Sequence, residues 1–538
     1  MNRPERDGPR LLRSSAVVGV GTALSRVTGF GRIAAIAYAL GVTRLAGVYA
    51  YANETPNIFY ELLLGGILTA TLLPLFVRQL DLEHDDRGTD AIVTVSVVGL
   101  LVATALGIVL APVIVRIYTL EVHGPSAAAQ RDLATSWLRC FMPQIFFYGV
   151  TALASALLNA RRRFAAAAFA PILNNLVVIG IFVALPHVAT GPLTVDRVLH
   201  DRGLLLLLGL GTTAGIAAMT LALWPAVVRA GVRLRPCFAW RHTAVRSLVR
   251  LSGWTVGYVV ANQVALWVVM VLANGTSGGP FVYMSAYAFF QLPHGLFAVS
   301  VTTTMQPELA RAWAAGDRAA QRELFARGFR IITVLMVTAA GLYVGLSQPI
   351  VTVLLQRGAF DAAAAGRVAD TLVAFAVGLP AFSLYLYTLR AFYAMPDTRI
   401  PFLVNCVENA VNVGAALVLY AWIGIPGLAL AFSVAYAVAV LGAVVLLDRR
   451  LAGLRGQGIV PTFARALGAA GAGGAAAWAV SRLLGSSTWS GSLLGGAVGG
   501  IVGLVVAVGA LRLLGVREVD DLRRAFGRGA RRGTTVQP

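Results

Sequence analysis

Long apolar runs separated by short basic or glycine-rich stretches make up nearly the whole chain, with little of the polar striping that a surface helix of a soluble protein carries. Crossing about 30 Å of hydrocarbon takes roughly 20 helical residues. Fourteen runs are long enough, near 14–41, 46–78, 91–119, 133–159, 164–188, 203–229, 247–273, 281–313, 327–355, 368–393, 399–422, 425–447, 461–484 and 489–514. Backbone groups in lipid must find partners within their own segment, so such runs are helices. The pattern predicts an all-α polytopic membrane protein with 14 transmembrane helices.

The pattern also repeats itself. Ala160, Phe164 and Asn175 recur about 233 residues later as Ala394, Thr398 and Asn409, each time the end of an apolar helix, a short polar turn and a helix with a buried Asn. Upstream, Thr69, Thr71 and Pro74 recur as Thr302, Thr304 and Pro307. The expected organisation is a cytoplasmic tail (1–13), a six-helix lobe (14–229), a cytoplasmic linker (230–246), a second six-helix lobe (247–447), an extra helix pair (461–514) and a basic cytoplasmic tail (515–538). Duplicated membrane halves are how transporters build two mobile lobes around a midplane site, which makes transport the leading expectation. In the extra pair, Gly495, Gly499 and Gly503 have the small-residue spacing that lets helix backbones approach closely. Two readings stay open there, a tightly packed pair and a groove for a lipid tail.

Composition narrows the class. At 58% hydrophobic and 13% charged residues, no soluble domain is expected. All 44 basic residues are Arg, clustered at Arg161–Arg163, from Arg229 to Arg250, from Arg311 to Arg330 and from Arg512 to Arg532. With fourteen spans these clusters fall on one side, which orientation rules make the cytoplasm, together with both termini. The Arg-rich N-terminus runs into the first span without a small-residue cleavage site, so it reads as a retained helix. The net charge of +20 serves topology and attraction to anionic lipid. No groove-reading or aromatic module accompanies it, so nucleic acid is not an expected partner. Three cysteines without metal spacing exclude disulfide and zinc frameworks. With no P-loop, metal cluster or nucleophile–base grouping, neither an enzyme nor a bound cofactor is expected.

Ionisable side chains inside a bilayer cost about 2.5–3.5 kcal/mol each on insertion scales, so the few present are functional candidates. Arg26 and Arg32 lie in the first helix within SRVTGFGR. Six residues apart, they point about 120° from one another and lie about 9 Å apart along an ideal helix. Gly29 and Gly31 weaken the helix between them and would let both turn toward one cavity. An Arg fork matches a pair of phosphate oxygens; pairing with acidic neighbours to hold the fold is the other reading. Those neighbours are expected in the second helix, where Glu54 and Glu61 are two turns apart with Asn57 between them and Pro56 interrupting the backbone ladder. In helix eleven, Asn405, Glu408, Asn409 and Asn412 share a face, and Asn262 with Gln263 in helix seven are candidates to face them. That oxygen set suits Na⁺, a proton on the Glu, or hydrogen bonding between helices. His294, in QLPHG, reads as a packed, hydrogen-bonded residue.

Taken together, SRVTGFGR, ETPNIFYELLLGG with Pro56 and Asn57, LPHGLFAVSVTTTMQPELARA and the repeat make the chain resemble the MurJ/MviN lipid II flippases of bacteria, within the multidrug, oligosaccharidyl-lipid and polysaccharide exporter superfamily. The resemblance covers nearly the whole chain. It implies a flippase of the bacterial plasma membrane that moves undecaprenyl-diphosphate-linked disaccharide peptide from the inner to the outer leaflet by alternating access, serving peptidoglycan synthesis and cell shape. Implied partners are lipid II, membrane lipids and cell-wall synthesis proteins. The substrate-binding set it implies here is Arg26, Arg32, Glu54, Asn57, Tyr60 and Glu61, with ion coupling to Na⁺ or H⁺ and the membrane potential through Asn262, Asn405, Glu408 and Asn409. The sequence departs from the family pattern where Tyr60 replaces an Arg, Glu61 its basic neighbour, Gly65 an acidic residue and Ala288 a cavity Arg, leaving the expected cavity less positive. A flippase for another polyprenyl-linked oligosaccharide, a cation-coupled drug exporter and a non-transporting membrane scaffold are the competing functions.

Overall fold

The computed structural model describes residues 7–62, 72–77, 86–189, 191–232, 234–243, 245–246, 253–451, 453–485 and 488–519. Gly65, Thr69, Thr71 and most of the 515–538 tail lie outside them. Among the described residues every regular element is helical.

The chain divides into two compact units, residues 1–281 with 357–360, and residues 282–356 with 361–538. The first holds α1 (Asp7–Leu40), α2 (Arg44–Tyr60), α3 (Leu73–Val77), α4 (Asp86–Tyr118), α5 (Ala127–Phe141), α6 (Pro143–Ala160), α7 (Phe164–Val188), α8 (Val195–His200), α9 (Arg202–Arg229) and α10 (Gly253–Asn274). The second holds most of α11 (Gly279–Pro293), then α12 (Val299–Ala314), α13 (Arg318–Leu355), α14 (Ala362–Ala394), α15 (Arg399–Ile423), α16 (Ile425–Arg450), α17 (Ile459–Leu484) and α18 (Trp489–Leu513). Ten helices among the described residues are long and apolar enough to cross a membrane, so this is a multi-pass membrane protein. α1 and α2 are not among the ten: α1 carries Arg26 and Arg32, and α2 is 17 residues long.

The internal repeat is visible in the backbone. α6 ends at Ala160 and α7 begins at Phe164, while α14 ends at Ala394 and Thr398 stands just before α15. Each turn contains a positive-φ residue at the same offset, Arg162 (φ 57°) and Pro396 (φ 28°), the two non-glycine cases among the described residues. A second correspondence was not foreseen. Residues 61–62 continue α2 as a π-helical turn, and His294–Ala298 form a π-helical turn between α11 and α12, so Glu61 and His294 open equivalent turns about 233 residues apart. A π turn inserts one residue into the ladder and is frequent at functional sites.

Helix packing in the first unit uses small residues. A Cβ at Gly21 of α1 would stand 2.9 Å from Ala168 Cβ of α7, and one at Gly31 would stand 3.3 Å from Ile179. Between them Asn175 donates from Nδ2 to the Ser25 carbonyl (3.2 Å) and to Thr28 Oγ1 (3.0 Å). This corrects the role expected of Gly29 and Gly31: α1 runs unbroken through both, and the glycines admit α7 rather than bend the helix. Tyr49 anchors the remaining core, edge-on to Trp137, Phe141 and Phe182, its hydroxyl 2.8 Å from Thr212 Oγ1. Three further features differ from expectation. The span expected at 133–159 starts at Ala127 and is divided by Met142 before Pro143, and the short α8 precedes α9.

In the second unit Phe290, Phe375, Phe382, Phe432 and Tyr436 stack into one aromatic cluster joining α11, α14 and α16. α17 and α18 meet through the glycine stripe. A Cβ at Gly503 would stand 2.6 Å from Ala477 Cβ, and one at Gly499 would stand 2.7 Å from the Ala477 carbonyl oxygen, so the stripe is filled by helix packing. Gly503→Leu is therefore expected to destabilise the protein by about 1–3 kcal/mol through overpacking, whereas leucine at Gly509, with nothing within 4 Å of its would-be Cβ, is tolerated. Thermal melts of both purified variants check this; equal midpoints would show that the seam yields.

Candidate functional site

The site in the first unit is built on α2. Thr43 caps the helix, its Oγ1 accepting from the Ala46 amide (3.2 Å), and the helix runs through Pro56. Its surface divides by helical periodicity. One face carries Tyr49 and Asn53 inward, with Gln144 Nε2 donating to Asn53 Oδ1 and to Thr213 Oγ1, both at 3.2 Å. Another carries Tyr51, stacked on Tyr118 at 5.0 Å, and the buried Thr55. What remains is a half-buried polar stripe of Glu54, Asn57, Tyr60 and Glu61.

Within the stripe, Asn57 Nδ2 donates to Glu54 Oε1 at 2.9 Å, as the three-residue spacing allows. Tyr60 lies 5.6 Å ring to ring from Tyr148 of α6. The half-buried Arg32 of α1 is close enough for its charge to be felt at Glu54, Tyr49 and Tyr148, and the Glu61 carboxylate opposes that of Glu54. No described carboxylate lies within 4.0 Å of Arg32, so the two signs are near each other without closing an ion pair. Such an arrangement keeps a donor fork open to an incoming anion while the charges partly compensate. Arg26 differs: it is exposed, and six residues along an unbroken helix set it about 120° around from Arg32. The structure thus brings together five of the six expected substrate residues. Tyr148, 88 residues from Tyr60, was missed, because helical periodicity carries no information across that separation.

The second unit holds the other cluster. Asn405, Glu408, Asn409 and Asn412 are all buried on one face of α15, Glu408 at 1% exposure. Asn405 Nδ2 donates to Glu408 Oε2 (3.4 Å), Asn409 Nδ2 donates to the Asn405 carbonyl (2.9 Å), and Asn412 Oδ1 is buried without a hydrogen-bond partner. Tyr283 of α11 feels the Glu408 charge. Among the described residues no three His, Cys, Asp or Glu side chains converge as a metal cluster. Asn262 belongs to α10 in the first unit, where its Nδ2 donates to the Tyr258 carbonyl (2.8 Å). His294 is packed as expected, buried against Phe382 with Nδ1 2.9 Å from Ser383 Oγ. Ala288 is half-buried on α11 and brings no charge to it.

Comparison with known proteins identifies relatives of the whole chain. A "Probable lipid II flippase MurJ" of Rhizobium tropici is 29% identical over 79% of this chain and 78% of its own length. One of Vibrio cholerae serotype O1 is 26% identical over 96% of this chain and 98% of its own. The fold matches a solved lipid II flippase MurJ in an inward closed conformation, with a TM-score of 0.74 at 18% identity, over 93% of this chain and 99% of that one. It also matches an inward-facing multidrug resistance MATE transporter, with a TM-score of 0.65 at 13% identity, over 80% of this chain and 95% of that one. The sequence profile of the family described as "Lipid II flippase MurJ" matches residues 36–494, beginning just after Arg32. A match across that much of the chain settles the relationship: this protein belongs to the lipid II flippase MurJ family.

Proposed function

We propose that this protein flips lipid II, carrying the undecaprenyl-diphosphate-linked disaccharide peptide from the inner to the outer leaflet, with its two compact units as the bodies that move. The observation that carries the reading is the half-buried Arg32 on α1 together with the half-buried polar stripe of Glu54, Asn57, Tyr60 and Glu61, on a chain of this family. The diphosphate would meet the Arg32 fork, Asn57 and Tyr60 would order the stripe around it, and Glu54 and Glu61 would balance the positive charge between cycles. Arg26, exposed on the same helix, would meet the anion on its approach. The membrane fold is fourteen helices, the ten long apolar ones together with α1, the α2 segment, α11–α12 and α17. Both termini and the Arg-rich 230–246 linker are cytoplasmic. In the second unit the buried amides and single carboxylate around Glu408 suit a coupled hard cation or a proton; Asn262, in the first unit, is a separate candidate for ion coupling.

Depleting the protein while measuring which leaflet holds lipid II tests the reading. Lipid II confined to the inner leaflet, restored by the cloned gene, is expected; unchanged outer-leaflet lipid II overturns it. Orientation has its own test in single cysteines at Gly231 and Gly275 probed with an impermeant thiol reagent. Gly275→Cys should label from outside and Gly231→Cys should not, and the opposite pattern would invert the topology.

A further inference from the structure

At the ends of α13, α14, α17 and α18 remote from their Arg-rich turns, the second unit holds a half-open cavity of about 530 Å³, lined among others by Ser347, Gln348, Asp370, Trp478, Ser481 and Arg482. Gly345, Ala369 and Gly485 also line it. Arg482 lies in the last turn of α17 with its guanidinium 5.6 Å from the Trp478 ring centroid. Trp489, the first residue of α18, donates from its indole to the Val353 carbonyl (3.0 Å) at the same end. Tryptophan is enriched at membrane–water interfaces, and Trp478 and Trp489 both lie toward this end of the helix pair.

Both signs of charge face this cavity. Arg482 and Asp370 are exposed side chains, and neither is in an ion pair with the other or with any described residue. A phosphate alone would have no use for the carboxylate, and an amine alone none for the guanidinium. Beside the cavity, Leu483, Leu484 and Leu493 expose apolar surface that a water-soluble ligand would leave uncovered.

From this we infer that the cavity binds the head group of a zwitterionic phospholipid, its phosphate on Arg482 and its ammonium on Asp370, with the acyl chains along the exposed leucines. The inference goes beyond substrate flipping and does not depend on it. An ammonium that donates hydrogen bonds selects phosphatidylethanolamine over phosphatidylcholine, whose quaternary nitrogen donates none.

The test is native mass spectrometry of the full-length protein released from vesicles of equal parts phosphatidylethanolamine, phosphatidylcholine and phosphatidylglycerol. Wild type should retain phosphatidylethanolamine preferentially. Arg482→Ala and Asp370→Asn should each lower that retention by about tenfold or more, the loss of a hydrogen bond to a charged group. Arg482→Lys should keep part of it. Both side chains are exposed, so folding is expected to survive; should one variant fail to accumulate, the other decides. Equal retention in wild type and variants overturns the site. Preference for phosphatidylglycerol overturns the zwitterionic assignment. Stabilisation of lipid-stripped protein by O-phosphoethanolamine to the same extent as by the whole lipid overturns the membrane source.

Discussion

Arg32→Ala is expected to abolish complementation of a flippase-depleted strain even when its expression is raised until its membrane level matches wild type. A hydrogen bond to a charged group contributes about 1.5–3 kcal/mol. Losing a two-pronged contact to a diphosphate therefore slows transport by a factor on the order of 10² or more. Arg32→Lys keeps the charge without the fork and should rescue in part. Arg26→Ala should cost less, because Arg26 is exposed, whereas Arg32 is half-buried. Growth curves beside membrane immunoblots measure both quantities. Wild-type growth of Arg32→Ala would remove the diphosphate from this helix, and a larger loss at Arg26 would move the site toward the start of α1.

Much of this was legible before any coordinates, and the reasons are physical. Helices α7 and α15 begin and end within a residue of expectation, because polar turns and the Ala-to-Asn repeat punctuate long apolar runs. The clustering on α15 followed from three- and four-residue spacings, which a straight helix converts directly into a shared face. What failed depended on partners far away in sequence. Gly29 and Gly31 looked like weak points, yet α7 lies against them, and a glycine that admits a neighbouring helix reads the same as one that loosens its own. The π turns at Glu61 and His294 were not legible, since a residue inserted into the hydrogen-bond ladder is marked by no particular residue type. The pairing of Tyr60 with Tyr148 and of Gln144 with Asn53 joins α2 to α6, separations no spacing rule spans.

Glu54, more than Glu61, is expected to be the counter-charge of Arg32, and neutralising it alone should be the costlier change. Glu54 accepts from Asn57 and lies within the field of Arg32, while Glu61 repels it. Removing one partner of a partly buried pair strands the other charge, which in hydrocarbon costs about 2.5–3.5 kcal/mol, whereas removing both is close to neutral. Glu54→Gln and Arg32→Gln should therefore each lower folded yield and melting temperature. The double variant should regain both without regaining transport, since the anion contact is still missing. A coupling energy of about 0.5–3 kcal/mol between the two is the quantitative expectation. Glu61→Gln separates the roles: it relieves a repulsion at Glu54, so it should leave stability unchanged or raised, and adding Arg32→Gln should bring no recovery. Thermal melts of the five purified variants, beside wild type, decide the matter. Strictly additive losses at Glu54 and Arg32 would mean that these charges do not interact, and coupling at Glu61 in their place would transfer the counter-charge two turns along α2.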